Sequence, residues 1–166
     1  MHKFLLMALA LLVSGSAATA QNKIDTKWHC PKATTEYKLD VGDVPGHIFW
    51  IGQGSCEATE SSGDLKEKSG QYTEFHDGWK ASFHFHGYYN ANTEDGDKVY
   101  YTYEGTGWPD TAKPVTNKWK IVGGTGKNKG IKGAGSCAGK LNADGSTDLE
   151  CTGTYSMGMG KMGMKN

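Results

Sequence analysis

The chain has 166 residues, with 18 basic and 18 acidic side chains, and every basic residue is lysine. Arginine is the side chain that reads guanine and grips phosphate in a bidentate manner, so its absence argues against a nucleic-acid partner. Glycine accounts for 24 residues and aromatic residues for 11% of the chain. This composition is typical of short strands joined by tight turns, and alternation of apolar and polar residues is easy to find along it.

The first 20 residues have the features of a cleavable signal peptide. Lys3 precedes an apolar run over residues 4–13, and Ala18-Thr19-Ala20 fits the small-residue pattern of a cleavage site. The run is shorter than the roughly 20 residues of a membrane span. We therefore expect residues 1–20 to be removed and the protein, without a membrane span, to be exported to the periplasm or the medium. Residues 21–156 would form a single domain, followed by a flexible tail over residues 157–166.

The chain contains four cysteines, all after residue 20: Cys30, Cys56, Cys137 and Cys151. In an oxidising compartment an even number predicts two disulfides. Asp144-Gly145 is a hairpin turn signal, and a three-residue loop over residues 143–145 would place Cys137 opposite Cys151. We predict that bridge and, by remainder, a Cys30–Cys56 bridge. Zinc is a weaker interpretation, because the chain has no CxxC spacing.

Eight strands are predicted, over residues 34–40, 46–59, 66–76, 79–90, 97–106, 116–123, 130–140 and 147–156. Turn signals separate several of them, at His76-Asp77-Gly78, Glu94-Asp95-Gly96 and Asp144-Gly145. Strands at this spacing without helices indicate a sandwich or an antiparallel barrel. Eight is about the number that closes a barrel around packed side chains or one small ligand.

Alternation assigns aromatic side chains to one face of the central strands. In the strand over residues 79–90, Trp79, Ala81, Phe83 and Phe85 share one face, whereas Lys80, Ser82, His84 and His86 share the other. The next two strands continue the pattern with Val99, Tyr101, Tyr103, Trp119 and Ile121. The candidate pocket residues are Trp50, Trp79, Phe83, Phe85, Tyr101, Tyr103 and Trp119. They predict either a site for a small apolar or planar ligand or an ordinary core.

The segment GGTGKNKGIKGAGSCAGKLNADGSTDLECTGTY, residues 123–155, resembles the closing segment of the allene oxide cyclase and dirigent barrels. Bacterial secreted proteins of mostly unassigned function share a similar barrel. The resemblance implies a disulfide-stapled, calycin-like antiparallel barrel of eight strands. It does not carry an activity. Dirigent chemistry, as the resemblance implies it, uses acidic residues and arginines that line the pocket, and this chain has no arginine. The acid and the polar water-holding residue of the cyclase cannot be aligned with this sequence. A phosphate-binding loop does not fit, because GGTGKNKG lacks the G-K-[ST] ending and no helix follows.

Two neighbouring histidines form one candidate metal site. His84 and His86 lie two residues apart on a strand, so their side chains would share a face about 6–7 Å apart and could hold one metal ion. Gly78 lies at the spacing of a cupin motif, but Asn90 and Ala91 stand where that motif has a glutamate. The alternative is that both histidines are ordinary polar residues on an outer face.

A second candidate metal site lies in the tail, which contains Met157, Met159, Met162 and Met164. Thioethers are soft ligands that select Cu(I), and the intervening glycines would let the backbone wrap around one ion. The alternative is a frayed chain end without a ligand.

These observations favour an exported, non-enzymatic barrel that binds a small hydrophobic ligand or has a structural role. One alternative is an extracytoplasmic copper-binding protein that uses the methionine tail. Another is a cyclase-like or isomerase-like enzyme, on fold analogy alone. The chain contains no G-x-S-x-G motif, and oxidised cysteines supply no thiol nucleophile. We therefore assign no catalytic residue.

Overall fold

The computed structural model describes residues 21–158, which form nine β-strands and one short 3₁₀ helix over Gly126–Asn128. The strands are β1 Asn22–Cys30, β2 Thr35–Asp40, β3 Ile48–Ser61, β4 Glu67–Gly78, β5 Phe83–Thr93, β6 Lys98–Gly107, β7 Pro114–Gly124, β8 Ile131–Leu141 and β9 Thr147–Met157. Within this range no helix is long and apolar enough to cross a membrane.

Eight of these strands close into an antiparallel barrel. The order in the sheet is β1-β9-β8-β7-β6-β5-β4-β3-β2, and an additional pairing of β1 with β3 closes the ring. The predicted eight-stranded barrel is therefore confirmed, but its membership differs. The sequence prediction includes the strand over residues 34–40 and lacks β1, whereas β1 belongs to the barrel and β2 lies outside it.

β1 closes the barrel because it pairs with both neighbours. It runs beside β9 from Asn22, opposite Tyr155, to Cys30, opposite Thr147, and its last part also pairs with the end of β3. Its side chains alternate strictly, and every second residue from Ile24 to Cys30 is buried. β2 pairs with the first part of β3, and all six of its residues are exposed. β2 therefore extends the sheet beside β3 and lies outside the closed barrel.

Both predicted disulfides are confirmed. Cys137 lies directly opposite Cys151 in the β8–β9 ladder, as the hairpin register predicts. Cys30 bonds to Cys56 just beyond the last β1–β3 pair, His29 opposite Glu57. All four cysteines are buried inside the barrel. Each bridge therefore joins two neighbouring strands of the wall from the inside.

The predicted turn at residues 76–78 is wrong, and the strand predicted from residue 79 begins later. β4 continues to Gly78, which pairs with Phe83, and the turn is formed by residues 79–82, where Trp79 N donates to Ser82 O at 2.8 Å. The Asp-Gly signal was misleading because Gly78 does not adopt a positive φ, and Asp77 and Gly78 both remain paired with β3 and β5. The other two predicted turns occur where expected, with Gly96 at φ +87° and Gly145 at φ +84°.

The glycine-rich segment makes room for one large side chain. A Cβ atom at Gly135 or Gly153 would lie 2.2 or 2.4 Å from Trp119 Cζ2, so no other residue fits under that ring. Gly126 and Gly130, in the connection between β7 and β8, have φ values of +48° and +78°. The glycines that carry the family resemblance therefore serve packing and chain reversal.

The two ends of the barrel differ. The closed end carries the connections over residues 62–66, 94–97 and 125–130, and Val99 and Ile131 there are completely buried in one core cluster with Leu65. The open end carries the connections over residues 31–47, 79–82, 108–113 and 142–146. Several of the residues that line the internal cavity lie at or next to these connections, among them Phe83, Leu141 and Gly145.

Candidate ligand-binding cavity

A cavity of about 180 Å³ lies inside the barrel and is lined by side chains from all eight barrel strands. It extends from Glu67 toward His76, Phe83 and Leu141 at the open end. A buried apolar cavity of about 150 Å³ is sufficient to hold benzene. The space therefore suits a molecule with one aromatic ring and a substituent.

The structure divides the predicted pocket residues into two groups. Five of the seven line the cavity, namely Phe83, Phe85, Tyr101, Tyr103 and Trp119. Trp50 and Trp79 are not part of its wall. Trp50 packs 4.3 Å from the His76 ring and donates from Nε1 to Glu36, and Trp79 stacks on His47 at 4.6 Å. These two tryptophans instead stabilise the rim of the open end.

Aromatic side chains form a large part of the cavity wall. Trp28 meets Tyr89 edge-on at 5.3 Å between ring centroids, and Tyr101 meets Trp119 edge-on at 5.5 Å. Such edge-to-face pairs orient rings firmly and contribute about 0.5–1.5 kcal/mol beyond their buried area. Trp28, Tyr72 and Tyr89 were missed in the sequence analysis. Trp28 could have been found, because Ile24, Thr26 and Trp28 alternate with polar residues.

Glu67 lies at the inner end of the cavity and is only 4% exposed. Its Oε1 accepts a hydrogen bond from the Tyr101 hydroxyl at 2.6 Å, and its Oε2 accepts one from Thr26 Oγ1 at 3.3 Å. Burial raises the pKa of Glu67 to about 7, and these two hydrogen bonds oppose that rise. The carboxyl group therefore exchanges its proton near neutral pH.

Sequence alternation could not have found Glu67. Tyr72, Glu74 and His76 face inward at even positions of β4, so an odd-numbered residue should face outward. The β4–β5 register shifts between Glu67 and Ser69, and this bulge reverses the alternation. Glu67 points into the barrel as a result.

A second carboxyl group lies closer to the open end. Glu74 Oε1 is hydrogen-bonded to His76 Nε2, and the His76 ring stacks on Phe83 at 4.6 Å. Burial, with a further contribution from the Glu74 charge, raises the pKa of Tyr72 to about 12. The same two causes hold the pKa of Tyr103 well above its usual value. These hydroxyls therefore stay protonated and can donate hydrogen bonds.

Three polar atoms of the cavity wall lack a hydrogen-bond partner among the described residues: Tyr89 Oη, Asn117 Oδ1 and Trp119 Nε1. Buried polar atoms in proteins are nearly always hydrogen-bonded, so each such group needs an explanation. They are one donor, one acceptor and one hydroxyl, all on residues that line the cavity. The wall is thus apolar overall, with a few polar groups that could orient a ligand.

The structure does not bring the predicted metal ligands together. His84 and His86 are exposed on the outer face of β5, where His86 stacks on Phe75 at 5.3 Å. Met157 ends β9 at the closed end of the barrel, away from His84 at the open end. Met159, Met162 and Met164 lie outside the described residues. In residues 21–158 no cluster of three His, Cys, Asp or Glu side chains could hold a metal, and copper binding by the tail stays a prediction.

No protein-family model and no curated protein matches this sequence. Solved structures do match, among them the pterocarpan synthase dirigent protein GePTS1, at 11% identity and a TM-score of 0.51 over 92% of this chain and 98% of that one. The pterocarpan synthase dirigent protein PsPTS1 matches at 12% identity and a TM-score of 0.50 over 85% and 97% of the two chains. At this identity the likeness concerns the fold alone. The chain thus has a dirigent-like barrel, as its glycine-rich segment suggests.

Proposed function

We propose that this protein is an exported binding protein that takes a small aromatic molecule into its barrel. The cavity of about 180 Å³ carries this proposal, because its wall is rich in aromatic side chains and bears three unpartnered polar atoms. Ligand sites in proteins are typically concave and apolar, with a few polar groups that fix the orientation of the ligand. Tyr89, Asn117 and Trp119 have that role here.

Export is supported by two features of the chain. Residues 1–20 have the pattern of a signal peptide. The two disulfides form readily only in an oxidising compartment, such as the periplasm or the medium. The cavity would therefore meet small molecules outside the cytoplasm.

Acid–base catalysis on the bound molecule is a second candidate function. The observation that favours it is Glu67, whose pKa of about 7 suits proton transfer near neutral pH. Both structural neighbours are named pterocarpan synthase dirigent proteins. Their names associate barrels of this fold with a synthetic reaction. Conversion of a bound molecule during prolonged incubation would favour this candidate over binding alone.

Ligand binding can be tested by titration of the mature protein with phenol and toluene. Trp28 and Trp119 lie on the cavity wall, so binding should change the intrinsic tryptophan fluorescence. Leu149→Phe adds bulk to the wall and should weaken binding by at least about tenfold, equivalent to 1.4 kcal/mol. Leu39→Phe makes the same change on the exposed strand β2 and should have no effect. Equal binding by both variants, or no binding of either probe, would contradict the proposal.

A further inference from the structure

We propose that the ligand is an organic cation, an aromatic molecule whose ammonium group pairs with Glu67 at the inner end of the cavity. This inference rests on the proposed binding function and specifies its ligand class. Three features of the structure support it: the charge of the wall, the free acceptor sites of Glu67 and the surrounding aromatic rings.

The charge of the cavity wall is one-sided. The chain contains 18 basic residues, all lysine, yet no lysine of residues 21–158 is among those that line the cavity. The wall contains two carboxyl groups, Glu67 and Glu74, and one base, His76, which is hydrogen-bonded to Glu74. Such a wall disfavours a carboxylate ligand and favours a cation, because the wall has little positive charge to balance its carboxylates.

Glu67 is the buried charge that lacks a partner. Burial of an ionised carboxylate is costly unless a cation pairs with it, and no cation of residues 21–158 acts on its pKa. Its two oxygens can accept about four hydrogen bonds, and Tyr101 and Thr26 supply two. An ammonium group has three donors, which suit the remaining acceptor sites. The Glu67 charge also acts on the Tyr89 hydroxyl, which lacks a partner and could accept from the same ammonium.

The aromatic rings near Glu67 suit a cation as well. Trp28, Tyr89, Tyr101 and Trp119 form a continuous series of ring contacts on the cavity wall. Aromatic faces attract ammonium groups, most strongly where water is excluded, and aromatic cages are a known solution for cationic ligands. A neutral ligand would gain apolar contacts from these rings but would leave the Glu67 charge unpaired.

The proposal makes binding depend on pH in a defined direction. The groups that face Glu67 are Tyr101 on β6, Tyr89 on β5 and Thr26 on β1, none of which is cationic, and Glu74 and His76 lie further along β4. A cation pairs with ionised Glu67 only. Its affinity should therefore rise by about tenfold per pH unit up to pH 7 and level off above pH 8. The affinity of a neutral molecule of the same shape should not follow this curve.

The experiment compares three probes of similar shape and different charge: benzylammonium, benzyl alcohol and benzoate. Calorimetric titration of the mature protein should show benzylammonium binding at least about tenfold more tightly than benzyl alcohol at pH 8, and benzoate not binding. Glu67→Gln keeps the shape of the side chain but removes its charge. It should abolish both the preference for the cation and the pH dependence. Glu104→Gln removes a charge from an exposed position of β6 and serves as the matched control.

A measurement on the unmodified protein keeps the test decisive if Glu67→Gln does not fold. At pH 7 about half of the Glu67 side chains are protonated, so binding of benzylammonium should release about half a proton, whereas benzyl alcohol should release none. Binding of benzyl alcohol as tightly as benzylammonium would overturn the cation proposal and leave the binding function intact. Failure of all three probes, together with phenol and toluene, would overturn the binding function itself.

Discussion

The two ends of the barrel use the same eight strands in different ways. At the closed end the interior is filled by aliphatic side chains, and Ala91, Val99 and Ile131 are completely inaccessible to solvent. Toward the open end the interior is filled by aromatic rings that leave a cavity of about 180 Å³. Interiors of proteins are usually close-packed, so a cavity of this size sets the open end apart from an ordinary core.

The disulfides lie on the side of the barrel that is less well packed. All four cysteines line the cavity, and Cys30 forms the end of β1 at the open side. A disulfide typically stabilises a protein by about 2–4 kcal/mol, largely through the unfolded state. The comparison indicates that aliphatic packing stabilises the closed end, whereas ring contacts and covalent links together stabilise the end that holds the cavity. Four predictions test this contrast.

The largest effect is expected for Trp119→Ala. This side chain is 5% exposed, rests on Gly135 and Gly153, and forms part of the cavity wall. Its removal should lower the free energy of unfolding by about 3–5 kcal/mol, as for other large buried aromatic residues. Urea unfolding measures this loss. A value below about 1 kcal/mol would mean that the rings of the cavity contribute little to stability.

Glu67 should lower the free energy of unfolding of the protein as the pH rises. Its pKa of about 7 in the folded protein lies above its ordinary value of 4.5, so the folded state keeps a proton that the unfolded state releases. The contribution of this group to the free energy of unfolding is therefore fully present below pH 4.5. It falls as the pH rises to 7 and is constant at higher pH. The loss is on the order of 3 kcal/mol.

Glu67→Gln should remove this loss. Urea unfolding at pH 4, 6 and 8 should show the variant gaining stability relative to the unmodified protein as the pH rises. Glu104→Gln, at an exposed position, should show no such trend. A stability difference between Glu67→Gln and the unmodified protein that is constant with pH would show that Glu67 is not held in a desolvated site.

A matched pair of truncations compares the two ends directly. Ile131→Ala at the closed end should cost about 2–5 kcal/mol, because Ile131 is fully buried and its removal leaves a cavity. Leu149→Ala should cost less, on the order of 1 kcal/mol, because Leu149 is only partly buried and its removal takes less apolar surface out of the core. Equal losses in thermal or urea unfolding would mean that the open end is packed as tightly as the closed end.

The smallest effect concerns the rim of the open end. His47 Nε2 lies 2.7 Å from Asp77 Oδ1 and its Nδ1 lies 2.7 Å from Asp43 Oδ1, so one ring joins the β2–β3 connection to the end of β4. The hydrogen bond to Asp77, and then the one to Asp43, raises the pKa of His47 above 6.5. The stability that it adds is present below pH 6.5 and is lost as the pH rises through the raised pKa.

His47→Gln should therefore lower the melting temperature more at pH 6 than at pH 9. His86→Gln, on the exposed outer face of β5, provides the control and should shift the melting temperature little at either pH. Equal effects of His47→Gln at the two pH values would show that the charge of the ring does not hold the rim.

Several features of the protein follow from local sequence signals. Period-two alternation identifies the strands that carry Phe85, Tyr101 and Trp119 inward, because successive side chains of a strand point to opposite faces. Gly96 and Gly145 mark turns because they adopt the positive φ that other residues avoid. The turn at Gly145 in turn sets the register that pairs Cys137 with Cys151. Each of these signals acts within a few residues, so the sequence alone was sufficient to predict them.

Other features depend on which strands meet in space. β1 and β2 both show ordinary β patterns in the sequence. β1 belongs to the barrel because it pairs with β3 on one side and β9 on the other, whereas β2 pairs with β3 alone. Glu67 faces the cavity because a bulge against β5 reverses the alternation of β4, and a bulge depends on the partner strand. Within residues 21–158 the charge of Glu67 lacks a cationic partner because no lysine of this range lines the cavity. Closure of the barrel and the chemistry inside it are therefore long-range properties, which local periodicity does not encode.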